Sequence, residues 1–371
     1  MNNLEIRLIQ PEESPAANDF YNGIYGKKRS LEQWQWEFAE NTYDTDQILY
    51  AIVKDGSRIV GTQAFIPIQM IDPNGIFWTA KSEETLVDPN YRGQKLFDKM
   101  YSLLFEEAEK RGFAYVWGFT PAEKAFKKLG FEMPGKTSQM LFPMQYRALD
   151  KLMAKDREAE RDVPKSMLKH LSYKLAFRIS IPLSGLKLSM KASRKNDIEI
   201  RTIDSPPQAA DDLCRRFIKK YGGVTIYRDG EYLKWRIFDN PYVKANMVGA
   251  FHDNTLLGWA AFSLGDDGVG YLVDILTASD LGNDPEIVQR LLIEAVIRTR
   301  DMGALALRGW SVNNHPFDKL VLNAARKIGF WHFDKGHTVV LYETKAGKSG
   351  VHRHTFDDFQ ITRIYTEGIM G

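Results

Sequence analysis

The sequence predicts a mixed α/β chain built from two copies of one unit. Three observations predict it: strand-length apolar runs alternate with amphipathic helical stretches, a set of segments recurs in the same order, and the composition is ordinary for a globular chain of 371 residues. Trp36-Glu-Phe-Ala-Glu-Asn41-Thr-Tyr43 reads again as Trp235-Arg-Ile-Phe-Asp-Asn240-Pro-Tyr242. Gly61-Thr-Gln-Ala64-Phe65 recurs as Gly258-Trp-Ala-Ala261-Phe262, and Lys127-Lys-Leu-Gly130-Phe131 as Arg326-Lys-Ile-Gly329-Phe330. Between them, Gly112 and Gly118 are mirrored by Gly303 and Gly309. The offsets run only from 191 to 199 residues, which indicates duplication.

In the first unit, Ile48 to Val53 and Ile59 to Pro67 read as strands joined by the Lys-Asp-Gly-Ser turn at 54–57, and Thr79 to Val87 as a third. From Gln94 to Lys110, Leu96, Phe97, Met100, Leu103, Leu104 and Ala108 fall at the three-and-four spacing of an amphipathic helix, stopped at Gly112. Phe113 to Phe119 is a further strand, and Ala122 to Leu129 a short helix ended by Gly130. The second unit repeats the series. Strands fall near 247–251, 256–264 and 269–276, followed by a helix from Pro285 to Met302, a strand at 304–310 and a helix from Phe317 to Ile328.

Apolar residues at 44% and charged residues at 26% exclude a disordered chain. Fifty basic against forty-eight acidic side chains leave no global footprint for a polyanion, so no nucleic-acid partner is expected. Cys214 is the single cysteine, and the start MNNLEIRLIQPEE lacks the basic and apolar regions of a signal peptide; a cytoplasmic location is the expectation. No apolar run reaches the ~18 residues of a membrane span. The segment from Val163 to Asn196 carries eight Lys or Arg and no Asp or Glu. Its apolar residues suit a connector helix packed on the two units; contact of 163–196 with an anionic membrane surface is the alternative.

The stretch that carries chemistry is Glu83-Glu84-Thr85-Leu86-Val87-Asp88-Pro89-Asn90-Tyr91-Arg92-Gly93-Gln94-Lys95-Leu96-Phe97. A strand ends at Val87, a tight turn follows, and a helix begins, so unpaired backbone N–H groups converge at a positive helix terminus. That is an anion cradle suited to a pyrophosphate, with Arg92 and Lys95 at its mouth. The seven histidines show no metal-ligand spacing, and no metal is expected. His352 and His354 lie in a polar stretch without carboxylates at a useful spacing, and Cys214 has no histidine near it in sequence.

The run from Val87 through Arg92-Gly93 into a helix, with Ala122 to Phe131 later, resembles the acyl-CoA-binding half of the GNAT N-acetyltransferase superfamily. The resemblance covers roughly 50–135, and the internal repeat extends a degenerate copy over 245–335. It implies an α/β (α+β) fold of two tandem GNAT-like units, each a twisted, mixed, mostly antiparallel sheet flanked by helices. It further suggests an acyl-CoA-binding domain at 1–150, a basic linker at 151–197, an acceptor-binding domain at 198–345 and a tail at 346–371. By the same resemblance Val87, Arg92, Gly93, Gln94, Lys95, Leu96 and Phe97 hold acetyl-CoA as cosubstrate, and Glu84, three before Val87, is the general base. The family's tyrosine acid falls at Phe126 and its asparagine at Phe119; Tyr115 and Thr120 are candidates to replace the acid. Lys95 stands where the family has its second glycine, and Phe97 where it has a small residue. If that position needs φ > 0, Lys95 costs about 1 kcal/mol relative to glycine.

The implied activity is acyl-CoA-dependent N-acyl transfer to a small-molecule amine, and resemblance to proteins of surface-polysaccharide synthesis suggests an amino sugar. Two alternatives stay open: a Fem-like aminoacyl or peptidyl transferase, in which tRNA would be a partner, and a non-catalytic binding protein that keeps the fold. After Leu272 to Thr277 the second unit has an acidic turn in place of the Arg-Gly loop, so no CoA is expected there.

Overall fold

The turn at 54–57 folds β2 (Tyr50–Asp55) back on the long strand β3 (Arg58–Asp72), which in turn pairs antiparallel with β4 (Gly75–Val87). The computed structural model describes residues 4–40, 48–146, 197–311, 314–334 and 336–366, with a few positions between 178 and 188. The basic segment 163–196 lies almost wholly outside the described residues, as do Asn41 and Tyr43 of the repeat.

After β4 comes α3 (Leu96–Lys110), whose buried Leu96, Met100, Tyr101, Leu104 and Ala108 form the apolar stripe that the spacing predicts. Then follow β5 (Tyr115–Thr120), α4 (Glu123–Lys128), β6 (Glu132–Lys136) and β7 (Ser138–Pro143). At the start of the chain, β1 (Leu4–Leu8), α1 (Ser14–Tyr25) and α2 (Leu31–Phe38) precede β2. The second unit follows this order with one strand added between its first two helices: β8 (Glu199–Ile203), α5 (Ala210–Tyr221), the added two-residue β9 (Thr225–Ile226), and α6 (Gly230–Leu233) running into a π-helical turn at Lys234–Phe238. Next are β10 (Ala245–His252), β11 (Thr255–Leu264), β12 (Gly270–Thr277), α7 (Asp284–Asp301), β13 (Ala306–Ser311), α8 (Pro316–Ile328), β14 (Trp331–Phe333), β15 (Thr338–Glu343) and α9 (Lys345–Ser349).

Two mixed sheets result. One runs β1-β2-β3-β4-β5-β15-β6, with β9 on the far end of β3; the other runs β14-β7-β13-β12-β11-β10-β8. The last strand of each unit has crossed into the other's sheet. β15 lies between β5 and β6, and β7 lies between β13 and β14. Sheet membership therefore does not divide the chain at 150: residues 138–143 complete the second sheet and 338–343 the first. At the crossing, Thr137 donates its N–H to the His337 carbonyl at 3.0 Å, and the His337 N–H returns to the Thr137 hydroxyl at 3.0 Å.

A single apolar cluster runs through both units, taking in Trp34, Trp36, Ile66, Trp117, Phe217, Trp235, Trp259 and Phe317, while a smaller cluster lies under α3. The stretch expected as a polar tail is part of this core. Phe359, Ile361, Ile364 and Tyr365 are buried, and Val224 bridges Phe359. His352 and His354, without a carboxylate in sequence, both meet the same Asp72 oxygen at 2.8 Å.

Candidate active site

The loop between β4 and α3 is pinned from behind. The Asp88 carboxylate accepts the Asn90 N–H at 2.9 Å and pairs with Arg58 at 2.5 Å, and the Tyr91 hydroxyl donates to Asp55 at 2.6 Å. Beyond this anchor Arg92, Gly93, Gln94 and Lys95 are exposed. Gly93 has φ +83° and Lys95, the N-cap of α3, φ +57°. The lysine thus occupies a left-handed backbone position, as the family's glycine there implies. No side chain caps the first turn of α3, which leaves its leading amides directed at the loop. Leu96 is buried in the core, so toward a ligand it presents only its backbone; Val87 ends the strand.

Two of the positions that depart from the GNAT pattern touch. Phe97 packs edge-on against Phe126 with ring centroids 5.9 Å apart, and both contact Tyr101, at 4.8 and 5.7 Å. The large side chain at 97 is accommodated by the large one at 126.

β4 and β5 pair in parallel at Thr79–Tyr115, Ala80–Val116 and Lys81–Trp117, and then separate, although β3 follows β4 as far as Val87. The register with β3 shifts between Thr62 and Ala64, where Glu84 takes φ +52°: a β-bulge that bends β4 away from β5. The resulting wedge opens toward the loop at 92–97.

Glu84 does not face open solvent. Its side chain is 2% exposed, ion-paired with Arg29 and hydrogen-bonded by the Tyr50 hydroxyl. Burial raises its pKa, against the opposing Arg29 charge. The second unit repeats this arrangement: Asp274, three before Thr277 as Glu84 is before Val87, binds Arg228 through two contacts of 2.9 and 3.0 Å, both side chains fully buried. Arg29 and Arg228 each lie between the first and second helix of their unit. Sequence reasoning missed both arginines, although their spacing of 199 is that of the tryptophan repeat.

The bulge places further charges on the face toward the second unit. Lys81 is buried and paired with Glu83, whose side chain is 32% exposed. Glu37, buried on α2, accepts from the Tyr242 hydroxyl at 2.6 Å and lies 3.5 Å from Arg29; burial first, and Glu84 second, push its carboxyl up toward neutrality. Burial lowers the Lys81 ammonium, with Glu83 opposing. Arg236 stacks over Trp36 and Trp235 at 5.5 and 5.6 Å. Glu37, Lys81, Trp117, Tyr232, Arg236 and Tyr365 line a cavity of about 10 Å³ at the point where the wedge begins, the room of one water molecule.

Tyr115 is not at the wedge. It pairs with Thr79, eight residues and about 26 Å before the end of β4, and donates to the His352 carbonyl. Burial pushes its hydroxyl up to about 12. The Thr120 hydroxyl is at the open end and accepts the Ala122 N–H at 3.0 Å. Cys214 is buried, its thiol pushed up to about 11 by burial.

This architecture has the fold of solved GNAT proteins. Residues 5–133 match the family model described as an acetyltransferase (GNAT) domain. A GCN5-related N-acetyltransferase from Anabaena variabilis superimposes with a TM-score of 0.59 at 11% identity, covering 91% of this chain and 72% of the other. One from Kribbella flavida gives 0.58 at 13%, covering 92% and 71%. Saccharomyces cerevisiae N-myristoyltransferase with bound myristoyl-CoA gives 0.57 at 12%, covering 92% and 79%. No curated protein matches the chain in sequence. Among the described residues no helix is long and apolar enough to cross a membrane, and no group of three His, Cys, Asp or Glu is placed to hold a metal ion.

Proposed function

We propose that this chain is an acyl-CoA-dependent N-acyltransferase, with acetyl-CoA as cosubstrate in the first unit and a small-molecule amine as acceptor. The observation that carries this reading is the conjunction of the exposed loop at 92–95, the uncapped start of α3, and the adjacent wedge between β4 and β5. In it, the amides of Gln94 to Phe97 and the Arg92 guanidinium hold the diphosphate, and the thioester lies along the wedge. The amine enters from the face toward the second unit, beside Lys81. Since an alkylamine is mostly protonated at neutral pH, attack requires a base. Glu84 is engaged by Arg29 and Tyr50, and in this reading it holds the bulge; Glu83 is the carboxylate that an entering amine reaches directly. A thiolate leaving group with a pKa near 8.5 departs without an obligatory acid.

Calorimetric titration of acetyl-CoA tests the reading. Micromolar binding that Arg92→Ala weakens at least tenfold is expected; no binding at millimolar concentration overturns it. The Phe97–Phe126 contact beside the loop favours the second reading, a GNAT fold kept for binding alone, and that reading stands if acetyl-CoA does not bind.

A further inference from the structure

Three buried arginines invite comparison. Arg29 has Glu84, and Arg228 has Asp274. Arg363, in the 3₁₀ turn Arg363–Tyr365, has neither a carboxylate nor a hydrogen bond for its guanidinium among the described residues, and is 5% exposed. Its Nε is buried without a partner, as is the indole Nε1 of Trp310. The guanidinium is held between two rings, 4.4 Å from the centroid of Tyr271 and 5.0 Å from that of Trp310. The nearest charged neighbour on β13 is another cation, Arg308, which donates to the Gln139 amide oxygen. Asp267 lies beyond Tyr271, where it accepts the Tyr271 hydroxyl at 2.7 Å and the Val269 N–H at 3.0 Å.

A buried cation without a counter-charge is strongly disfavoured, and a second cation beside it makes matters worse. Burial pulls the Arg363 guanidinium down and the Arg308 charge adds to it, while Tyr271 and, more weakly, Asp267 oppose them. The position within the fold is informative as well. Tyr271–Arg308 is the last pair of the parallel β12–β13 ladder, so the cluster sits where the second sheet opens, as Lys81–Trp117 does in the first. His337, exposed and 5.1 Å from the Trp310 ring, forms its outer edge. Inward, Trp310 is 5.2 Å from Phe119, the penultimate residue of β5 and a wall of the first wedge.

We propose that the opening between β12 and β13 is an oxyanion site, in which Arg363, Arg308 and the Trp310 indole N–H take a carboxylate or phosphate group of the acceptor. Planar guanidinium donors suit either group, and the site then lends the acceptor its orientation: anion at Trp310, amine toward the β4–β5 wedge. Only the ligand's role as acceptor rests on the acyl-transfer reading; the binding of an anion does not.

The test is thermal denaturation and calorimetry of the whole chain with inorganic phosphate and with acetate, at constant ionic strength against chloride and without any acyl-CoA. A saturable rise in Tm is expected with one of them, and the anion that saturates at the lower concentration identifies the group. The rise persists in Arg92→Ala, which separates this site from the loop at 92–97, and is lost in Arg363→Met, whose own Tm without anion equals or exceeds that of the parent. If Arg363→Met does not fold, Arg308→Met and Trp310→Phe must each weaken anion binding at least tenfold. No difference from chloride, or a shift that survives these substitutions, overturns the proposal. Phosphate or acetate binding in a protein that ignores acetyl-CoA retains the site and removes the acyl-transfer reading instead.

Discussion

Trp36 and Trp235 hydrogen-bond to each other reciprocally: each indole N–H donates to the other's backbone carbonyl, at 3.0 and 2.9 Å, with the rings stacked 5.2 Å apart. The two residues occupy equivalent positions in the two units, so the pair marks an approximate twofold relation between them, as Thr137 and His337 do at the strand crossing. Two buried hydrogen bonds at ~1 kcal/mol each, plus an aromatic contact of ~1 kcal/mol, make this a substantial tie. Trp36→Ala is expected to cost about 3–5 kcal/mol, read as a lower urea midpoint, with both units unfolding in the same transition.

The left-handed Lys95 is a local strain that glycine removes. Lys95→Gly should raise stability by about 1 kcal/mol and leave acetyl-CoA affinity within a few fold, because the amides that face the ligand are unchanged. A loss of stability on this substitution would show that the lysine side chain makes a contact worth more than the strain.

The carboxylates on the bulge separate by role. Glu84→Gln leaves Arg29 buried beside a neutral partner and should destabilise the fold by about 3 kcal/mol. Glu83→Gln takes the charge from the partner of buried Lys81 but leaves an amide oxygen in its place at the partly exposed wedge, so it should lower Tm less than Glu84→Gln does and lower kcat/KM ten- to a hundredfold. The opposite pattern would make Glu84 the base after all.

Glu37 makes stability depend on pH. Its carboxyl is raised in the folded state by burial and by Glu84, so the folded chain binds the proton more firmly than the unfolded one. That contribution is complete below the ordinary glutamate range and is lost as pH climbs toward and through neutrality. Glu37→Gln keeps an acceptor for Tyr242 without the ionisation. The difference in Tm between variant and parent should therefore move in the variant's favour from pH 5 to pH 8.

Tyr115→Phe removes a hydrogen bond to the His352 carbonyl, far from the wedge. It should cost about 1 kcal/mol of stability with kcat unchanged. A fall in kcat at constant KM would place the hydroxyl in the reaction.

Much of this was legible in the sequence. The elements β2 to β5 and α3, and the turn that joins β4 to α3, follow from local signals: apolar period, a turn and a helix stop. The φ > 0 demand at Lys95 was readable from its alignment with a glycine. What was not legible depends on partners distant along the chain. The ion pairs of Arg29 and Arg228 join positions 55 and 46 residues apart, and Asp72 meets His352 across 280 residues. The misplacement of Tyr115 has a similar source: alternation along a strand identifies a face, but only the parallel register with Thr79 shows which end of the sheet that residue occupies. The exchanged strands β7 and β15 are short and carry no sequence mark of the sheet they join.

That exchange also sets the order of events on the ribosome. The gap between β5 and β6 cannot be closed until residue 343 has left the exit tunnel, some two hundred residues after β6 itself. At ~5–20 residues per second this amounts to roughly 10–40 s. Throughout that interval the Tyr115–Thr120 edge stands with unpaired amides and carbonyls, a template for any passing strand. The nascent first unit is thus the stage at which the chain is most exposed to misassembly, and the stage at which a chaperone has most to protect.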